Sequence, residues 1–156
     1  MRIIKTSMAG NNNSMFVIVA SEFYQDITDS LIRGAESVFR DEFSGKGSLV
    51  IHRIPGSNEI PGTVQVIIDN DCPDVIITFG CIIRGETKHF DIIAENVSSR
   101  LMDISVRSSV PVIFGVIATE NMEQAEARSN PQKINSGGEC MRTGIRMLET
   151  YNEIKK

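Results

Sequence analysis

Short apolar runs rich in β-branched residues alternate along this chain with stretches of helical periodicity. The runs cover residues 15–20, 48–54, 74–80 and 110–117, and the helical stretches cover residues 22–43, about 61–68, 88–106, 120–128 and 137–151. Apolar runs of this kind are typical of strands buried on both faces, and no hairpin signal separates them. The pattern predicts a three-layer α/β/α domain with a doubly wound, mainly parallel four-stranded sheet.

The chain has the length of one domain. With 156 residues, 41% of them hydrophobic, it can bury a core without disulfides or metals. No linker, repeat or low-complexity segment divides it, so we expect a single domain over residues 1–156, with residues 1–13 as an N-terminal arm. The net charge of −4 gives no cationic surplus for a phosphate backbone. Nucleic acid is therefore not expected as a partner.

The cysteine pattern and the apolar runs bear on location. The three cysteines, Cys72, Cys81 and Cys140, are widely spaced and form no CxxC pair. An odd number without metal-ligand spacing favours free thiols in a reducing compartment. Each is expected to be an apolar filler, with a nucleophile as the less favoured alternative. No segment reaches the length of a membrane span or resembles a signal peptide, so a cytoplasmic protein without a membrane partner is expected.

Polar and glycine-containing loops follow each predicted strand, at residues 21–24, 55–61, 81–89 and 118–123. In an open parallel sheet, ligands bind outside the carboxyl ends of the strands. These four loops are therefore the segments in which functional side chains are expected.

The stretch from Gly80 to Phe90 has the strongest functional signal. It leaves a strand, turns at Gly85 and enters a helix for which Thr87 is a plausible N-cap. Free N–H groups at a helix start form an anion site. His89 falls in the first helical turn, and histidine can transfer protons near neutral pH. The alternative is that His89 is structural.

Three other residues each have a functional and a structural interpretation, and a fourth has a structural one alone. Glu59, in the turn that Pro55-Gly56 sets up and that exposes the backbone of Ser57 and Asn58, can bind a polyol or an amine, or can be a solvated acid. Phe23 can stack on a planar ring or lie in the core. Arg128, at a helix end, can clamp a phosphate or be a surface cation. Phe114, inside a strand, is expected in the core on its type alone.

Four motifs together resemble the lumazine synthase family over residues 15–151. They are Pro-Gly-Ser-Asn-Glu-Ile-Pro at 55–61, Gly-Cys-Ile-Ile-Arg-Gly-Glu-Thr-Lys-His-Phe at 80–90, Val-Pro-Val-Ile-Phe-Gly-Val at 110–116 and Glu-Gln-Ala-Glu-Ala-Arg at 123–128. The second motif is specific in its length and order. The order of all four along the chain adds weight to the resemblance.

The resemblance implies a flavodoxin-like strand order and a cofactor-free transferase of riboflavin biosynthesis. Such an enzyme condenses 5-amino-6-(D-ribitylamino)uracil with 3,4-dihydroxy-2-butanone 4-phosphate to 6,7-dimethyl-8-ribityllumazine, releasing phosphate and water. The position of His89 matches the family's acid–base histidine. Glu86, Thr87 and Arg128 match its contacts to the butanone phosphate. The expected contacts to the uracil and the ribityl chain are Phe23, Ser57, Asn58, Glu59, Cys81, Ile82, Ile83 and Phe114.

The resemblance also implies an assembly. The family forms homopentamers, some of which close into hollow shells of sixty subunits, with the pocket between adjacent subunits and Phe114 lent by the neighbour. Residues 2–6 are expected to add a strand to a neighbour's sheet. Riboflavin synthase is a further candidate partner.

Departures from the family pattern keep two alternatives open. Asn58 stands where an aromatic residue is usual, and Ser136 stands where a lysine is usual, with Lys133 as a candidate substitute. Glu22 and Tyr24 also depart from the usual residues beside Phe23. These differences leave room for a non-catalytic lumazine- or flavin-binding shell protein. An archaeal-type riboflavin synthase, which shares the fold, is the other alternative.

Overall fold

The structure, a computed structural model, describes residues 2–5, 14–43 and 47–156. The strands in these ranges are β1 (Arg2–Lys5), β2 (Ser14–Ser21), β3 (Gly47–Ile54), β4 (Val75–Ile83) and β5 (Val112–Thr119). The helices are α1 (Gln25–Phe43), α2 (Ile60–Asp71), α3 (His89–Ser108), α4 (Met122–Ser129) and α5 (Ser136–Ile154). A short 3₁₀ turn, Ser57–Glu59, precedes α2.

The predicted fold class is confirmed. Strands β2 to β5 pair in parallel, and the order across the sheet is β1-β3-β2-β4-β5. From β2, in the middle of the sheet, the chain winds outward to β3 and then crosses back over β2 to β4 and β5. This reversal places a topological switch point between β2 and β4, where the carboxyl ends of strands open a crevice.

Apolar side chains fill both spaces between the sheet and its helices. One cluster joins α1, α4 and α5 to one face of the sheet and contains Phe16, Phe39 and Met141. The other joins α2 and α3 to the opposite face and contains Val19, Ile60 and Leu101. Because consecutive strand residues point to opposite faces, each central strand contributes to both clusters. This sandwich fixes the strand ends that carry the loops.

The N-terminal segment adds a fifth strand to the sheet. Residues 2–5 form β1, which pairs antiparallel with β3 of the same chain. Addition of this segment to a neighbour's sheet stays a prediction. The edge of β3 is the nearest unpaired row of backbone groups, and an extended segment adds to it readily. Residues 6–13 of the predicted arm lie outside the described residues.

Several boundaries differ from the predictions, and three of them have a clear physical reason. Strand β4 continues through Cys81–Ile83, which was predicted as loop, because these residues pair with Ile117–Thr119 of β5. Strand β5 begins at Val112 and not at residue 110, since Pro111 has no N–H to donate to a ladder. Helix α1 begins at Gln25 because Tyr24, with a φ of 57°, lies in the left-handed region.

No helix within the described ranges is long and apolar enough to cross a membrane.

Candidate active site

A cavity of about 550 Å³ opens at the carboxyl ends of β2, β3 and β4. Its volume is in the range of sites for small molecules. It is lined by Phe23, Tyr24, Gly56, Ser57, Asn58, Glu59, Cys81, Ile82, Ile83, His89 and Ile93. Eight of the twelve sequence-predicted site residues are among these eleven. These eight residues therefore lie at one cavity, while their roles stay predictions.

The turn after β2 supplies the first wall. The N–H of Glu22 donates to the carbonyl of Ile54 at 2.7 Å, and that of Phe23 donates to the carbonyl of Pro55 at 3.2 Å. These two bonds fasten the turn to the end of β3. Phe23 is 64% exposed and meets Tyr24 edge to face, with ring centroids 4.9 Å apart. An aromatic side chain held open to solvent in this way can stack on a planar heterocycle, and Phe23 is not the core residue that its type alone suggests.

The 3₁₀ turn Ser57–Glu59 supplies the second wall. Ser57 is buried against β4, whereas Asn58 and Glu59 are exposed at the cavity. A Cβ atom at Gly80 would lie 2.5 Å from Oγ of Ser57 and 3.3 Å from Ile60. Glycine at position 80 therefore lets the turn approach the strand closely and sets the width of the cavity on this side.

Strand β4 forms the floor through its last residues. The side chain of Cys81 is buried, and burial raises the pKa of its thiol to about 11. The neutral thiol is the form present near pH 7, so Cys81 acts as an apolar wall there and not as a thiolate nucleophile. Ile82 and Ile83 extend the apolar surface toward the mouth.

Thiol labelling checks this assignment. At pH 7.5 we expect a soluble maleimide to modify the exposed Cys72 while Cys81 and Cys140, whose pKa values burial raises to about 11, stay unmodified in the folded protein. Peptide mass spectrometry after labelling locates the adducts, and labelling in denaturant serves as the control in which all three react. Modification of Cys81 as fast as Cys72 at pH 7.5 would contradict the buried, neutral thiol.

His89 is the first residue of α3 and projects at the mouth of the cavity. Its side chain is exposed, and Ile93 lies one turn further along the same face of the helix. The residue before it, Lys88, occupies the N-cap position without a side-chain hydrogen bond. Thr87 is therefore not the N-cap, although its hydroxyl accepts the N–H of His89 at 3.4 Å. The free N–H groups of this first turn provide partial positive charge beside the imidazole.

Four predicted residues do not line this cavity. Glu86 and Thr87 are exposed in the loop just before α3. Arg128 is exposed in the last turn of α4. Phe114 projects from β5, 47% exposed, so it is not a core residue. The described chain alone does not bring Arg128 and Phe114 to His89.

Three cavity residues were not predicted as site residues. Tyr24 was noted only as a departure beside Phe23, and Gly56 only as part of a turn. Ile93 had a usable signal, because it lies four residues after His89 and a helix places such pairs on one face. The left-handed conformation of Tyr24, which turns its ring beside Phe23, had no signal in its residue type.

Lys133 lies in a second cavity of about 380 Å³ between α1 and α4, together with Arg33 and Glu126. Tyr24 lines both cavities. In the described chain the lysine thus does not reach the cavity that contains His89. Its role as a substitute for the usual pocket lysine stays a prediction.

The sequence matches one family along nearly its whole length. The model of the family described as 6,7-dimethyl-8-ribityllumazine synthase matches residues 13–152. A protein of that name from Bacteroides fragilis is 34% identical over 141 residues, covering 90% of this chain and 99% of the relative. Another from Campylobacter jejuni subsp. doylei is 32% identical over 154 residues, covering 99% of this chain and 100% of the relative. The resemblance seen in the four motifs is confirmed, and the chain belongs to the 6,7-dimethyl-8-ribityllumazine synthase family.

Proposed function

We propose that this protein condenses 5-amino-6-(D-ribitylamino)uracil with 3,4-dihydroxy-2-butanone 4-phosphate to give 6,7-dimethyl-8-ribityllumazine, phosphate and water. Family membership supports the reaction. One observation supports the assignment of this reaction to particular residues: His89, Phe23 and the 57–59 turn line one cavity. Neither alternative, the binding protein or the riboflavin synthase, is favoured by the relatives, which carry the name of the lumazine-forming enzyme.

The apolar side chains of the cavity can hold the uracil ring, and its polar groups can hold the ribityl chain. Phe23 offers an exposed ring against which the pyrimidine can stack. The 57–59 turn offers backbone groups and the Asn58 and Glu59 side chains, which can bind the hydroxyl groups of a polyol. Cys81, Ile82 and Ile83 exclude water below the ring. Holding two substrates in one orientation supplies much of the acceleration of such a condensation.

His89 is the group that we propose to move protons. The amine of the uracil substrate attacks the ketone of the butanone and forms an imine with loss of water, phosphate is eliminated, and attack of the ribityl-bearing nitrogen on the remaining carbonyl closes the ring with loss of a second water. Each of these steps transfers a proton to or from nitrogen or oxygen, and an imidazole at the mouth can accept and return it. The N–H groups at the start of α3, with Glu86 and Thr87 beside them, are the proposed contacts to the phosphate of the second substrate, because free N–H groups at a helix start can bind an anion.

We propose that a second copy completes the site in a homopentamer, which can close further into a shell. Apolar side chains on α3 and β5 support an interface, since Ile92, Met102, Val106 and Phe114 are all exposed. In this arrangement the neighbour contributes Phe114 and Arg128 to the cavity that contains His89. The mass of the native particle separates a ring of five 17.2-kDa chains from a shell of sixty. Riboflavin synthase, which consumes the lumazine product, is the proposed further partner.

Mixing the purified protein with both substrates tests the reaction. We expect the lumazine chromophore to appear faster than in the absence of protein. No acceleration would contradict the proposal and leave a binding protein. Supplying the lumazine alone and finding riboflavin would instead indicate the riboflavin synthase activity. The cytoplasmic location stays a prediction from the cysteine pattern.

Replacing Arg128 with alanine should weaken binding of the phosphate substrate. Because a guanidinium clamps phosphate in bidentate fashion, we expect the KM for the butanone phosphate to rise by about tenfold or more while the KM for the uracil substrate stays within twofold. Steady-state kinetics with each substrate varied in turn measure both constants. Arg146→Ala, on the exposed face of α5, is the matched control. An unchanged KM for the butanone phosphate would remove Arg128 from the site.

A further inference from the structure

Arg84 joins three elements at the edge of the cavity. It follows the last residue of β4, and its N–H donates to the carbonyl of Thr119 at the end of β5, at 2.9 Å. Its Nε lies 3.0 Å from a carboxylate oxygen of Glu120, just after β5, and its Nη1 lies 3.2 Å from a carboxylate oxygen of Asp91 in the first turn of α3. One guanidinium thus connects the ends of two strands to the start of the helix that carries His89.

The guanidinium also rests on an aromatic ring. Its central carbon lies 4.2 Å from the centroid of Phe90, and Phe90 packs against the core cluster beneath α3. An isolated surface ion pair contributes little, but a planar group fixed by two carboxylates and one ring loses less freedom for each contact. The hydrogen bond to Glu120 raises the pKa of Arg84, so its positive charge is present throughout the working pH range.

The loop between Arg84 and His89 has few other anchors. Residues 85–88 are all exposed, and a Cβ atom at Gly85 would meet no atom within 4 Å. Lys88 caps α3 without a side-chain hydrogen bond, and Thr87 reaches only the N–H of His89 at 3.4 Å. Glu86 and Lys88 form no ion pair with any other residue of the described ranges. The contacts of Arg84 are therefore the main side-chain ties between this loop and the sheet.

We propose that Arg84, through Glu120 and Asp91, is the positioning residue that holds residues 85–88 and the start of α3, and so places the His89 imidazole over the cavity. The inference rests on the proposed function for its kinetic consequences but not for the loop itself. Arg84 acts through the loop and not on the substrate. A misplacement of a catalytic group by about 1 Å can cost a hundredfold in rate.

Three variants and one control test the proposal in the full-length protein. Arg84→Met removes the guanidinium, Glu120→Gln removes one of its anchors, and a double variant carries both changes. The control is Arg142→Met, which also removes a guanidinium with two carboxylate contacts, one to Glu42 of α1 at 2.8 Å and one to Glu139 within α5 at 2.6 Å. For each protein we would measure kcat, both KM values, and hydrogen exchange of the backbone amides of residues 85–89 without substrate.

We expect Arg84→Met to lower kcat by about tenfold to a hundredfold with both KM values within twofold. We expect the amides of the loop to exchange roughly tenfold faster, while the central strands keep their protection. Glu120→Gln should show the same pattern more weakly, and the double variant should be no slower than Arg84→Met. Arg142→Met should change neither kcat nor the exchange of this loop.

Two results would overturn the inference. Unchanged exchange of residues 85–89 in Arg84→Met would mean that the loop is held without the guanidinium. A raised KM for the butanone phosphate with unchanged kcat, together with a harmless Glu120→Gln, would make Arg84 a phosphate ligand. A wild-type protein that forms no lumazine would contradict the proposed function but not the role of Arg84. Because exchange is measured without substrate, the exchange data would still decide whether Arg84 holds the loop.

Discussion

Replacing His89 with alanine should lower kcat by about a hundredfold, with both KM values changed much less. General acid–base catalysis by a positioned side chain contributes on this order, and the exposed imidazole of His89 lines the cavity. The fold and assembly should survive, because the side chain is exposed at the first residue of α3 and fills no part of the core. Stopped-flow or steady-state absorbance of the lumazine product measures the rate, and native mass measures the assembly.

The other histidine supplies the control. His52 lies in the middle of β3, away from the residues that line the cavity, so His52→Ala should keep the wild-type kcat. Imidazole added to His89→Ala should restore part of the lost rate, since a small base can enter an exposed mouth. Wild-type turnover in His89→Ala would remove the imidazole from the mechanism and leave substrate positioning as the whole source of acceleration.

The cavity could be predicted from the sequence to the extent that its residues follow strands. Phe23, Ser57 and His89 lie tens of residues apart, yet Phe23 and Ser57 come just after buried apolar runs and His89 comes at the end of the loop that follows a third. In a parallel sheet those positions meet at one edge, so their convergence follows from the pattern alone. The glycine at position 80 adds to this, because its lack of a side chain lets the 57–59 turn approach β4.

Features that depend on distant partners could not be predicted in this way. The sequence predicts a loop at Cys81–Ile83, because the strand pattern stops at Gly80. Pairing with β5 instead extends the strand through these residues. The contacts of Arg84 could not be predicted for the same reason. Glu120 is 36 residues away, and no local sequence pattern marks it as a partner. The pairing of β1 with β3 is of the same kind, because it requires only an open edge and leaves no periodic signal.

Replacing Gly137 with alanine should produce the largest loss of stability. Helices α1 and α5 pack closely, and a Cβ atom at Gly137 would overlap the backbone carbonyl of Leu31. The overlap is with main chain, so no side chain can rotate away and the two helices must separate. Forced overpacking of this kind costs about 3 kcal/mol, which for a domain of this size corresponds to a fall in Tm of about 10 °C.

The same substitution at Gly62 isolates the clash. Gly62 lies in α2, and a Cβ atom there would meet nothing within 4 Å. Gly62→Ala should raise the free energy of unfolding by about 0.5 kcal/mol, because alanine restricts the unfolded chain and favours the helix. Thermal melts followed by circular dichroism at one protein concentration compare the two variants. The two substitutions share their effect on helix propensity, so their difference measures the contact between Gly137 and Leu31. Equal melting temperatures would mean that α5 can shift along α1 without a loss of stability. The close approach of these two helices would then not be what holds them on their face of the sheet.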